Sequence, residues 1–152
     1  MAAYFFDSSA LAKLYHPEAG TPEVDKILRT PGIQVRISRL TVVELPSVFA
    51  IKVRTQFISR DDARLLVRQF QEHIVAQKFL VTAIREPEFA VAERLLEQYA
   101  FDQRLRALDA IQIAVAFRLR SQGLVDQFVA ADKVLCEVAT LEGFAVLNPE
   151  HR

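Results

Sequence analysis

The chain has 152 residues, 51% hydrophobic and 25% charged, an ordinary globular composition expected to form a single domain over residues 1–152 with a full core. Nineteen basic residues balance nineteen acidic ones, so there is no general electrostatic pull on nucleic acid, and any such binding needs a local basic face. The lone cysteine, Cys136, excludes an internal disulfide and reads as a small hydrophobe; no segment is apolar enough for a membrane span; and the first residues do not read as a signal peptide, so a cytoplasmic protein is expected.

In chain order, Ala3 to Phe6 is a continuous apolar run, as in a parallel strand covered on both faces. Ser8 or Ser9 can cap a following helix that ends near His16-Pro17, and Thr21-Pro22-Glu23 starts another that Pro31-Gly32 ends. Ile33 to Ser38 alternates as a second strand. Thr41 then opens a helix through Leu45, Phe49 and Ile51, with Pro46 early in it. Ser59 caps a helix carrying Ala63, Leu66, Val67, Phe70 and Ile74 at helical spacing. Phe79 to Ala83 reads as a third strand, and Glu86-Pro87-Glu88 begins a helix reaching Tyr99. Leu105 to Leu119 is apolar on nearly every side, which predicts a central buried helix ended by Gly123. Gln127 to Ala131 is a fourth strand, Asp132 to Leu141 a helix closed by Gly143, and Phe144 to Leu147 a last short strand. Strands alternating with helices predict an α/β sandwich with a central parallel sheet of four to five strands.

Four acids occupy unusual positions. Asp7 ends the first strand and Asp132 the fourth, and each can serve as a helix N-cap. Glu44 lies three residues after Thr41, the spacing of a capping box. Asp109 interrupts the most apolar helix, where a carboxylate needs a partner such as Arg104 or Arg106, or a cation. Singly, each has a structural explanation. Together, two lie at strand ends and two in first helical turns, which a parallel α/β sheet gathers on one edge. Carboxylates sharing a cleft repel one another, and a divalent cation relieves that repulsion. Oxygen ligands without His or Cys point to Mg²⁺ or Mn²⁺, which can polarise a phosphodiester and activate water.

The order strand-Asp7-Ser8-Ser9-Ala10-Leu11, then Ser38-Arg39-Leu40-Thr41-Val42-Val43-Glu44-Leu45, then Leu105-Arg106-Ala107-Leu108-Asp109-Ala110-Ile111-Gln112-Ile113-Ala114, then Phe128-Val129-Ala130-Ala131-Asp132-Lys133, resembles the PIN-domain family, and within it the VapC-type toxins of prokaryotic toxin–antitoxin pairs. The likeness covers essentially the whole chain. It implies a PIN-like three-layer sandwich and metal-dependent cleavage of RNA phosphodiesters. It carries over Asp7, Glu44, Asp109 and Asp132 as the acidic quartet, with Ser9 as a supporting polar residue. It also implies a homodimer and a cognate antitoxin that blocks the cleft. Two positions depart from the pattern. Ala130 stands where many relatives have Thr or Ser, which predicts a lost water or metal contact, and Gln112 stands where many have His. The competing reading is a catalytically impaired PIN-like module that binds protein or RNA. A haloacid-dehalogenase-type phosphatase is disfavoured because Ser9 occupies the place of its second Asp, and no phosphate-cradling glycine loop is present. Arg36, Arg39, Lys52, Arg54 and Lys13 are candidate RNA contacts, and the helix holding Val48, Phe49 and Ile51 a candidate dimer face.

Overall fold

Phe5 and Phe6 set the architecture. They end strand β1 (Ala3–Phe6), where side chains alternate, so Phe5 enters one core and Phe6 the other, and both are fully buried. A strand apolar on both faces belongs in the middle of a covered sheet. In the computed structural model, which describes residues 2–151, β1 is the central strand of five. The others are β2 (Gln34–Ser38), β3 (Leu80–Thr82), β4 (Gln127–Val129) and β5 (Ala145–Leu147). Their order is β3-β2-β1-β4-β5 and all pairings are parallel, with Phe5 opposite Arg36 on one side and Phe128 on the other.

Helices cover both faces. On the Phe6 side, α1 (Ser8–Tyr15), α2 (Thr21–Arg29), α3 (Arg39–Arg54) and α4 (Arg60–Val75) contribute Leu11, Val24, Phe49 and Phe70 to one core. On the Phe5 side, α5 (Glu86–Tyr99), α6 (Ala107–Ser121) and α7 (Lys133–Leu141) contribute Leu95, Ile113 and Leu135 to the other. The result is the three-layer α/β sandwich expected from the strand–helix alternation. Aromatic rings bind each core together: Phe5 stacks on Phe128 with centroids 5.5 Å apart, and Tyr15 meets Phe49 and Phe70 edge-on at 5.9 and 5.6 Å.

Several expected boundaries shift. The third and fourth strands are shorter than their apolar runs: Phe79 leads into β3 as core packing, and β4 ends at Val129, past which the Ala130 amide still donates to the Leu147 carbonyl at 3.1 Å. Helix α3 starts at Arg39, not Thr41, so Pro46 lies inside the helix rather than early in it, and the Val42 carbonyl loses its usual helical donor. Lys13, a candidate RNA contact, is instead buried. Its Nζ pairs with Glu18 at 3.2 Å and with Glu150 at 2.8 Å, tying the chain's last described residues to the α1–α2 turn. Gly20 makes this approach possible, since a Cβ there, at φ 92°, would meet the Pro149 carbonyl carbon at 3.0 Å. Among the described residues no helix is long and apolar enough to cross a membrane.

The two-faced strand makes one stability test direct. Phe5→Ala removes a fully buried ring stacked on Phe128, and is expected to cost about 3–5 kcal/mol in urea unfolding. A loss under 1 kcal/mol would mean that Phe5 does not anchor its core.

Candidate active site

The chain runs outward from β1 to β2 and β3, then returns to place β4 on the other side of β1. In an open parallel sheet, the crevice where the strand order reverses is where ligands bind, outside the carboxyl ends of the strands. Here that crevice lies between the tips of β1 and β4, and the residues following those strands are Asp7 and Ala130 to Asp132.

The Asp7 amide donates to the Val129 carbonyl at 3.0 Å, extending the ladder one residue past the strand. Asp7, not Ser8 or Ser9, caps α1: its Oδ1 accepts from the Ala10 amide at 3.1 Å. Ser9 Oγ lies 2.7 and 2.9 Å from the two Asp7 oxygens, and also accepts the Ala131 amide at 3.0 Å. One hydroxyl therefore links the carboxylate to the segment after β4. Burial pushes the Asp7 carboxyl up from 3.8 to about 7; repulsion from Glu44 adds to this, and the bonds from Ser9 and Ala10 oppose it.

Glu44 does not form the expected capping box. Ser38 caps α3 by accepting from the Leu40 amide at 3.0 Å, which leaves Thr41 and Glu44 inside the helix. The Thr41 hydroxyl is buried against Ser8 Oγ at 3.0 Å. Glu44 Oε1 accepts from Ser8 Oγ and from Gln112 Nε2, both at 2.7 Å. Gln112 is thus a site residue whose importance the sequence reading missed. The available signal was a single amide in an otherwise apolar helix, one turn from Asp109 and on its face.

Asp109 sits in the first turn of α6 and accepts from the Arg106 amide at 3.3 Å and from Arg106 Nε at 3.1 Å. Of the two expected partners, Arg106 is therefore the one engaged. The carboxylate is buried whereas the Arg106 side chain is 73% exposed, so solvent screens the pair. The remaining acid, Asp132, caps α7 as expected, with Oδ1 accepting from the Leu135 amide at 2.9 Å.

One cavity of about 500 Å³ is lined by Asp7, Ser8, Ser9, Glu44, Arg106, Asp109, Gln112 and Asp132, with an apolar lip that includes Val43, Ile51 and Leu108. All four acids singled out in sequence reach it. Ala130 does not: its side chain is fully buried in the core with Phe5 and Leu135, and its carbonyl accepts from Cys136 Sγ at 3.2 Å. Phe49, a candidate dimer contact, is likewise core, whereas Val48 and Ile51 line the cavity. Lys52 is engaged with Glu18 and His16, while Arg39 and Arg54 are exposed. Each of the four acids has a partner within the protein, and among the described residues no three acids already form a ligand set for one metal ion.

The profile of the PIN domain matches residues 4–141. The chain belongs to the PIN-domain family. No curated protein sequence matches it significantly. Among solved structures it is similar to FitAcB from Neisseria gonorrhoeae, at 20% identity and TM-score 0.65, over 98% of this chain and 99% of that one. It is similar also to VapC20 from Mycobacterium tuberculosis, described as a sarcin–ricin-loop-cleaving toxin, at 18% identity and TM-score 0.67, over 98% of both chains. A toxin–antitoxin complex from Klebsiella pneumoniae matches at 17% identity and TM-score 0.61, over 96% of this chain and 97% of that one. At these identities the likeness is one of fold.

The buried Asp7 carboxyl gives a pH test. Its folded-state pKa lies above its ordinary value, so the native state holds the proton more tightly, and the associated stability is present below pH 3.8 and lost as pH rises through about 7. In metal-free buffer, Asp7→Asn is expected to gain on the wild type between pH 4 and pH 8, by at most roughly 4 kcal/mol. Urea unfolding of both proteins across that range measures it; parallel pH profiles would show that Asp7 carries no such penalty.

Proposed function

We propose that this chain is a metal-dependent endoribonuclease, the toxin of a type II toxin–antitoxin pair, with the activity held in one PIN-like domain. The observation that carries the reading is the convergence of Asp7, Glu44, Asp109 and Asp132, from separate segments, on one cavity at the carboxyl edge of the sheet. The similar structures described as a toxin–antitoxin complex and as a sarcin–ricin-loop-cleaving toxin support it.

The donor set fits a hard divalent cation, since carboxylate and hydroxyl oxygens line the cavity without His or Cys. Asp7, Glu44 and Asp109 would hold Mg²⁺ or Mn²⁺, with Asp132 assisting a second ion or the attacking water. When bound, the ion polarises a phosphoryl oxygen and makes water a competent nucleophile at neutral pH. The protein then needs no covalent nucleophile of its own. Ser9 keeps the Asp7 carboxylate oriented. Arg106 is the cation among the cavity-lining residues, and its guanidinium is free to leave Asp109 for a phosphate at the rim. The exposed Val43, Ile51 and Leu108 beside the acids suit an antitoxin segment that brings apolar side chains and a positive charge. A homodimer belongs to the same proposal.

The competing reading, an impaired PIN-like module that binds protein or RNA, has one observation in its favour: the acids as held do not yet form a ligand set. A fluorogenic RNA assay with Mn²⁺ and no antitoxin separates the two. Wild type is expected to cleave, and Asp7→Asn to lose on the order of 100-fold or more, at least what the loss of a ligand-orienting group costs. Equal residual cleavage by both proteins would leave the binding module.

Arg106 yields a second test. Arg106→Gln leaves Asp109 without its guanidinium among the other acids. The variant is expected to melt lower than wild type in chelator and to gain more than wild type from millimolar Mn²⁺, by relief of repulsion and mass action. Thermal melts by circular dichroism read both shifts; equal gains would show that Arg106 does not compete for the site.

A further inference from the structure

Gln112 is only 2% exposed, and it reaches across from α6 to side chains of α1 and α3. Its Nε2 lies 2.7 Å from Glu44 Oε1, 2.9 Å from Thr41 Oγ1 and 3.3 Å from Ser8 Oγ. A primary amide has two hydrogens, so the two short contacts take them and the third is subordinate. The Ser8 hydroxyl supplies a second donor to the same Glu44 oxygen, at 2.7 Å.

The other half of the amide sharpens the point. Gln112 Oε1 is buried and has no hydrogen-bond partner. Turning the amide over would set that oxygen 2.7 Å from the Glu44 carboxylate, acceptor against acceptor. The arrangement thus leaves a carbonyl unsatisfied in order to present the N–H group to Glu44, and a buried orphan of this kind calls for a reason beyond packing. The consequence is that Glu44 Oε1 is held from two directions by groups on two helices. Glu44 Oε2 has no protein donor among the described residues.

We propose that Gln112 is a positioning residue: together with Ser8 it pins one oxygen of Glu44 and leaves the other at a fixed bearing for a cation in the cavity. Thr41 completes the polar seat by taking the second amide hydrogen. The proposal rests on the metal-site reading above and deepens it, since it identifies what orients an acid that stands on a helix and, unlike Asp7 and Asp132, is not held by a backbone amide.

The test is Mn²⁺ binding by purified full chain, read from the electron paramagnetic resonance signal of free Mn²⁺. Gln112→Met keeps the length of the side chain and removes the donor, and is expected to bind about 10–100-fold more weakly than wild type. Gln112→His, which retains an N–H donor, is expected to recover most of the affinity. Ser8→Ala removes the partner donor and is expected to weaken binding in the same direction, which keeps the proposal testable should Gln112→Met fold poorly. If wild type binds Mn²⁺ and both Gln112→Met and Ser8→Ala, folded by circular dichroism, bind it equally well, the positioning role is overturned while the metal site stands. If folded wild type binds no Mn²⁺, the metal-site reading itself falls, and this inference with it.

Discussion

The bond from the Asp7 amide to the Val129 carbonyl is the constraint on which the site depends. It continues the pairing of β1 and β4 beyond the last residue of β1, so the acid is placed by the sheet and not by a loop. The sheet can do this because Phe5 and Phe6 bury opposite faces of one strand in separate cores. A one-residue slip of β1 would exchange those faces and carry Asp7 and Ser9 together away from Val129 and Ala131. Precision at the cavity is therefore inherited from aromatic packing well below it.

The same geometry explains how a cavity lined by carboxylates is tolerated in the folded chain. Each acid is relieved by a different means. Asp7 holds a proton more tightly than usual because it is buried. Asp109 borrows the charge of Arg106. Glu44 receives neutral donors from Ser8 and Gln112, and Asp132 receives the first-turn amide of α7. Two of these ties are helix caps, so the residues proposed for chemistry also start the helices that follow their strands. The structural and functional explanations of Asp7 and Asp132 are not rivals: an N-cap uses one carboxylate oxygen and leaves acceptor capacity on the other.

The fold was legible in sequence because its signals are local. The apolar run at Ala3–Phe6, the Ser59 cap and the all-round apolar α6 each report their own surroundings, and the strand–helix alternation then dictates a parallel sandwich. Boundaries failed where two local signals overlapped. Ser38 and Thr41 lie three residues apart around the start of the same helix, and the Thr-x-x-Glu spacing favours the later start. The structure uses Ser38, because Thr41 is drawn into a buried polar group with Ser8 and Gln112. That group joins residues 33 and 71 positions apart, which no window of sequence can reveal. Lys13 failed for the same reason: an isolated basic residue reads as surface until Glu18 and Glu150 are seen to enclose it. Ala130 marks the opposite error. A missing hydroxyl looked like a defect of the site, but the side chain faces the core, and the serine that reaches that stretch of backbone is Ser9.

The ties also differ in what a ligand would have to break. The bonds that Ala10 and Leu135 make to Asp7 and Asp132 are intrinsic to helix starts and can persist with a cation bound. The bonds to Glu44 fix one oxygen and leave its partner open. Only Asp109 has both oxygens facing a competing positive charge, at 3.1 and 3.5 Å from Arg106. That competitor is the most exposed of the partners, so displacing it requires little desolvation, and once displaced it remains at the rim where a phosphate would enter. In an acid site balanced in this way, the most exposed internal contact is the one that, on the proposed reading, a cation and an anionic substrate would replace together.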